Sequence, residues 1–126
     1  MTTFSIINPS DCFTMEADDL KVAQMATNIL GGGMYGLSQG GQTVLGIPQT
    51  AEWLKENFGN HTAWLDAHID ALIAALDSVK LDGVRSSVNC IDKSAQRFAQ
   101  QLRERKEARG CDPFPAWPNC VCPEVQ

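Results

Sequence analysis

Two runs of apolar residues in the second half of the chain constrain its fold more than any other feature. Leu65, Ile69, Leu72, Leu76 and Val79 step by 4, 3, 4 and 3 residues, and Val84, Val88, Ile91, Ala95, Phe98 and Leu102 step by 4, 3, 4, 3 and 4. A helix turns once per about 3.6 residues, so each series lays an apolar seam along a helix that packs on a neighbour at a shallow angle. Only Lys80-Leu81-Asp82-Gly83 separates the seams, and so short a connection makes the helices antiparallel neighbours. The spacing predicts a helical hairpin over 61–110. Val79 would lie near Val84 and Leu65 near Phe98, with Arg103 to Arg109 overhanging as an exposed end stopped by Gly110.

The first half reads differently. Thr2 to Ile7 is rich in β-branched and aromatic residues, Asn8-Pro9-Ser10-Asp11 is turn chemistry, and Cys12 to Glu16 alternates with Phe13 and Met15 on one face. Asp18 and Asp19 suit the start of a helix, along which Leu20, Val22, Ala23, Met25, Ala26, Ile29 and Leu30 supply the inner face; Lys21, Gln24 and Asn28 are left for the outer one. Gly31 to Gly33 end it. Met34 to Leu37 and Thr43 to Gly46 flank a glycine-rich loop as a second hairpin, and Thr50 precedes a short helix over 51–58 whose inner residues are Trp53, Leu54 and Phe58. Gly59 closes that helix and Asn60 caps the next. The expected architecture is one α+β domain over 1–110: small antiparallel β-hairpins packed with short helices and an antiparallel helical hairpin. A Pro- and Cys-rich tail, 111–126, would pack on it through Phe114 and Trp117.

Composition narrows the function classes. With 44% hydrophobic and 20% charged residues the chain has enough apolar surface to fold, and it lacks the long apolar run needed to span a membrane. The start, MTTFSIINPSD, has neither the basic nor the apolar stretch of a secretion signal, which predicts a cytoplasmic protein. The net charge of −5 is unevenly laid out: nine acidic residues against two lysines in 1–79, then eight basic against four acidic in 80–110. An acidic front and one basic helix would make the domain dipolar, and the overall sign disfavours direct nucleic-acid binding.

No motif announces catalysis. Gly31-Gly32-Gly33-Met34-Tyr35-Gly36 spells a dinucleotide fingerprint, but that mechanism needs a strand before the glycines and a helix after them, and here the order is reversed. Leu37 stands where a phosphate loop requires lysine. Cys111, Cys120 and Cys122 lack the paired spacing of a zinc site, while His61 and His68 lie seven residues apart on a face near Trp64. Reduced thiols are expected, with Cys90 beside the seam. The expectation is a protein that is not an enzyme and carries no cofactor and no metal.

What remains is charge. Asp66, Asp70 and Asp77 fall on one helix face, with Glu52 and Glu56 one turn apart on the helix before. These five carboxylates form either a solvated outer face or an acidic strip that docks on a basic groove.

The segment Phe4-x-Ile6-x-Asn8-Pro9-Ser10-Asp11-x-Phe13-Thr14-x-Glu16-Ala17-x-Asp19, followed by Tyr35-Gly36, by Glu52-Trp53-Leu54 and by Phe58-Gly59, resembles small phage and prophage proteins over roughly the first 60 residues. The resemblance implies a mobile-element setting in the host bacterial cytoplasm. Small acidic proteins of that setting, the anti-CRISPR proteins above all, inhibit bacterial immunity by binding a host effector protein or ribonucleoprotein complex stoichiometrically. The alternative it leaves open is a phage structural or assembly protein that oligomerises, for instance as a homodimer, through the helical hairpin.

Overall fold

The computed structural model of the chain describes residues 2–7, 11–86, 88 and 90–108. The turn at Asn8-Pro9-Ser10, the helix stop at Gly110 and the tail with Cys111, Phe114, Trp117, Cys120 and Cys122 lie outside the described residues.

Strands β1 (Thr2–Ile7) and β2 (Phe13–Ala17) pair antiparallel, with Phe4 opposite Met15 and Ile6 opposite Phe13. Successive side chains of a strand point to opposite sides, so Phe4, Ile6, Phe13, Met15 and Ala17 enter the core together while Thr3, Ser5, Thr14 and Glu16 take the other face. Helix α1 (Leu20–Gly31) begins where the Asp19 carboxylate accepts from the Val22 N–H at 2.9 Å. Strands β3 (Gly36–Gln39) and β4 (Gln42–Leu45) follow as a hairpin. Its two-residue turn is Gly40-Gly41, with φ of 59° and 82°, left-handed values that a side chain resists.

Helices α2 (Ala51–Phe58) and α3 (His61–Ala67) are capped by Thr50 and Asn60, which accept from the N–H groups of Trp53 and Ala63. Then come α4 (Ile69–Asp77), a two-residue strand β5 (Lys80–Leu81) and α5 (Ile91–Ala108). The architecture is α+β, as expected, but the two hairpins do not stand apart. β1 pairs with β3 as well as with β2, giving one antiparallel sheet of order β4-β3-β1-β2-β5. At the β3–β4 end of that sheet only glycine fits at 36, since a Cβ there would lie 2.6 Å from the Leu45 carbonyl oxygen.

Helices α1, α4 and α5 pack over the apolar side of the sheet, and a core cluster runs through Phe4, Phe13, Met15, Met25, Leu37, Leu65, Leu72, Leu76, Ile91 and Leu102. The outer side is hydroxyl-rich: Thr43, Ser38, Ser5, Thr14 and Lys80 lie side by side across all five strands.

Several expectations are corrected. The helical hairpin of 61–110 is shorter and broken. Its first arm divides at His68, whose backbone leaves helical geometry at φ −120°, and its second arm starts at Ile91 rather than Val84. Val84 and Val88 have the right spacing for the seam yet are 92% and 96% exposed. Tertiary bonds explain this. Leu81 and Lys80 pair with Phe13 and Thr14 of β2, the Ser86 N–H and hydroxyl both donate to Asp11, and Arg85 forks onto Asp92, so the chain between 80 and 90 is held in extended and looped form. The late start also moves the pairing: Asp66 meets Arg105, where the seam argument put Leu65 beside Phe98.

In α1, Leu20 turns out to be 40% exposed, and Asn28, assigned to the outer face, is fully buried. A buried polar hub accounts for Asn28. Its amide nitrogen donates to Gln49 Oε1 at 3.3 Å, and Gln49 in turn donates from Nε2 to the carbonyls of Tyr35 (3.0 Å) and Gly46, and from its backbone N–H to the Gly32 carbonyl. Gln49 thereby ties the end of α1, the glycine turn and the segment before α2 into one junction.

Candidate functional site

The acidic residues singled out in the sequence occupy three helices. Glu52 and Glu56 are exposed on α2, Asp66 sits near the end of α3, and Asp70 and Asp77 lie on α4. The three aspartates do not face solvent alone. Asp66 accepts a forked bond from Arg105, at 2.7 Å from Nε and 3.0 Å from Nη2; Asp70 accepts from Lys106 at 2.6 Å; and Asp77 pairs with Arg103. The basic run of α5 is therefore the counterpart of the acidic strip. Three of the acidic charges are thereby neutralised within the fold, where α5 meets the end of α3 and the face of α4.

The two sides of this ladder are unequally exposed. Arg105, expected on an exposed helix end, is only 3% exposed, whereas the Asp66 side chain opposite it is 50% exposed. Asp70 is 75% exposed against 46% for Lys106, and only in the Asp77–Arg103 pair are the partners alike, at 40% and 45%. Arginine suits the buried position, since its stem covers apolar surface while its planar head grips a carboxylate with two bonds. At Asp66 and Asp70 the carboxylate is the more exposed partner of its pair.

A cleft of about 520 Å³ opens beside the ladder, lined by Asp70, Ile73, Arg103, Lys106 and Glu107. Asp70 is the one residue of the acidic strip that it shares. Sequence reasoning missed the cationic half of this site. The signal was present in the two charge runs: a basic helix that folds back against the segment carrying Asp66, Asp70 and Asp77 brings opposite charges together, whatever the sum of charge along the chain.

On α2 and α3 a row of rings runs from Trp53 to Phe58 (centroids 5.6 Å apart), Trp64 (4.7 Å) and His68 (4.0 Å, stacked). The expected neighbourhood of His68 and Trp64 is thus seen as a stack. Lys21 of α1 lies over the Phe58 ring at 4.9 Å and bonds the Asn57 carbonyl, which ties the row to α1.

Among the described residues no group of three or more His, Cys, Asp or Glu side chains is arranged to hold a metal ion, and no helix is long and apolar enough to cross a membrane. Cys12 is exposed and Cys90 half-buried, both as free thiols. The glycine run 31–36 has α1 before it and β3 after it, the order opposite to a dinucleotide site.

Comparison of the chain with known protein families, with curated proteins and with solved structures finds no match.

Proposed function

We propose that the protein acts by binding, as a phage- or prophage-encoded inhibitor of bacterial immunity that engages a host effector protein or ribonucleoprotein complex in the bacterial cytoplasm. The likeness of the first 60 residues to small phage proteins motivates the setting. The observation that carries the binding surface is the outward placement of the carboxylates: Asp66 and Asp70 keep half and three quarters of their side chains in solvent even while paired. Exposed ion pairs are worth only about 0–1 kcal/mol each. A partner bearing a basic groove can therefore exchange its own cations for Arg103 or Lys106 at small cost, and the exposed Glu52 and Glu56 on α2 add charge that is not tied up in an ion pair among the described residues. Complementary charge of this kind steers encounter and fixes orientation more than it adds affinity.

Oligomerisation through the helical seam has less to work with. Leu65, Leu72 and Leu76 on one arm and Ile91, Ala95, Phe98 and Leu102 on the other are all buried inside the chain's own core, leaving none of these side chains to a second copy.

The test is co-purification with purified CRISPR effector complexes, followed by target-DNA binding and by phage survival in a CRISPR-active host. A stoichiometric complex with loss of target binding is the expected outcome. Reversal of charge at Asp66, Asp70 and Asp77 together should weaken inhibition; absence of any complex and of any phage protection refutes the proposal.

A further inference from the structure

The cleft between α4 and α5 has a feature that the rest of the charged ladder lacks. Three of its charges are spoken for within the ladder, Asp70 and Lys106 by each other and Arg103 by Asp77, while Glu107 is in no ion pair among the described residues. The lining thus carries one unmatched negative charge. Ile73 supplies the apolar lining residue, half-buried and packed on its inner side against the core. The hydrocarbon stems of Arg103 and Lys106, whose charged heads are held by Asp77 and Asp70, can add to that apolar surface. A volume of about 520 Å³ is ample for one large side chain and part of its neighbours.

We propose that this cleft is the anchor point of the docking face, seating one apolar side chain of a protein partner against Ile73 while an adjacent lysine or arginine of that partner is held by Glu107. This rests on the reading of the protein as a binder with an acidic face, and it names the chemistry of the contacted element: an apolar residue next to a cation. The occupant follows from charge. Receiving an anionic element on Arg103 or Lys106 would release Asp77 or Asp70 and leave a further carboxylate unmatched beside Glu107, whereas a cationic one meets a carboxylate that is in no ion pair among the described residues. A seated apolar group is also what such an electrostatic face needs, since buried anchors dominate interface energetics while rim charges contribute little.

Three short capped peptides provide the test, acetyl-leucyl-arginine amide, acetyl-leucyl-glutamate amide and acetyl-seryl-arginine amide, titrated into the full chain with backbone amide shifts read by NMR. The leucyl-arginine peptide should shift the amides around Ile73, Lys106 and Glu107 in a saturable way, and the other two should bind more weakly at the same amides. Glu107→Lys, an exposed change whose folding is checked by its melting curve, should weaken the leucyl-arginine peptide about two- to fivefold.

Equal responses to all three peptides, responses located elsewhere, no response up to the solubility limit, or unchanged affinity in the Glu107→Lys protein would each overturn the assignment. So would a change at the same amides on raising protein concentration without peptide, which would mean that a second copy fills the cleft. Failure here is separable from failure of the functional reading. An effector complex that forms equally well with wild type and with Glu107→Lys removes the cleft and leaves the acidic face, whereas absence of any effector complex removes the reading whatever the peptides do.

Discussion

The Gln49 junction and the α4–α5 ladder are both polar, and both join elements far apart in the chain, but they are built on opposite terms. Gln49 is 5% exposed and Asn28 fully buried, and their amides are neutral. Because Gln49 Nε2 donates to two carbonyls, its oxygen must be the atom that accepts from Asn28, which fixes the orientation of both amides and leaves Asn28 Oδ1 with no partner among the described residues. Each bond there replaces water that cannot easily return. In the ladder the carboxylates stay wet, and in the Asp70–Lys106 and Asp77–Arg103 pairs both partners do, so each of these two pairs trades one well-solvated state for another. The junction ties buried elements together, while the two exposed pairs of the ladder, Asp70–Lys106 and Asp77–Arg103, can exchange partners at small cost. That second property is what a docking surface requires.

The sharpest way to break this contrast is Gln49→Ala. It removes the donor to Tyr35 and Gly46 and strands the buried Asn28 amide, and each buried polar group left unsatisfied costs about 1–3 kcal/mol. A loss of about 2–3 kcal/mol is expected, read as a fall in Tm on the order of 10 °C. If Gln49→Ala melts within a degree or two of wild type, water replaces the amide freely and the junction is no more than a surface contact.

Arg105 lies between the two extremes, a buried cation on a half-exposed anion. Arg105→Ala should cost about 1–3 kcal/mol, because the stem leaves a space in the α3–α5 contact. Arg105→Met keeps the stem and discards the charge, and an apolar residue of similar volume in place of a buried ion is often close to neutral. Urea denaturation of the two variants separates packing from charge. Equal destabilisation by Ala and Met would assign the residue's contribution to the ion pair instead.

How far these arrangements are written in the sequence depends on the distance over which they act. Asp19, Thr50, Gly59 and Asn60 mark their helix ends through bonds reaching three or four residues, and each stands where its residue type predicts. Phe13 and Met15 alternate as a half-buried strand must. Val84 and Val88 carry the helical period just as faithfully, yet Arg85 and Ser86 beside them are bound to Asp92 and to Asp11, and no local pattern reports a bond across 75 residues. Asn28 misleads for the same reason, since its polarity says outward and only Gln49 makes burial tolerable. Of the candidate site, both charge runs are legible and their matching is not. The facing of Asp66, Asp70 and Asp77 with Arg105, Lys106 and Arg103 depends on where α5 begins, and the chain before it is held out of the helix by the bonds of Ser86 to Asp11 and of Arg85 to Asp92.

The smallest expected effect is also the one that ties the ladder to function. Asp70→Asn and Asp77→Asn each remove one exposed pair, Asp70 from Lys106 and Asp77 from Arg103, and each should change stability by less than about 1 kcal/mol. Raising the salt from low to near 1 M shortens the screening length to about 3 Å, so the difference from wild type should vanish there. If the proposed docking holds, the effect on effector binding should be larger than the effect on folding, since Asp70 lines the cleft as well as standing in the ladder, while Asp77 meets the cleft only through Arg103. Asp70→Asn should therefore slow association with the effector more than Asp77→Asn at equal stability, with the gap closing as salt is added. Stopped-flow association rates at two salt concentrations measure this directly. Identical rates for the two variants would mean that the ladder acts as a uniform field, and that position along it carries no information for the partner.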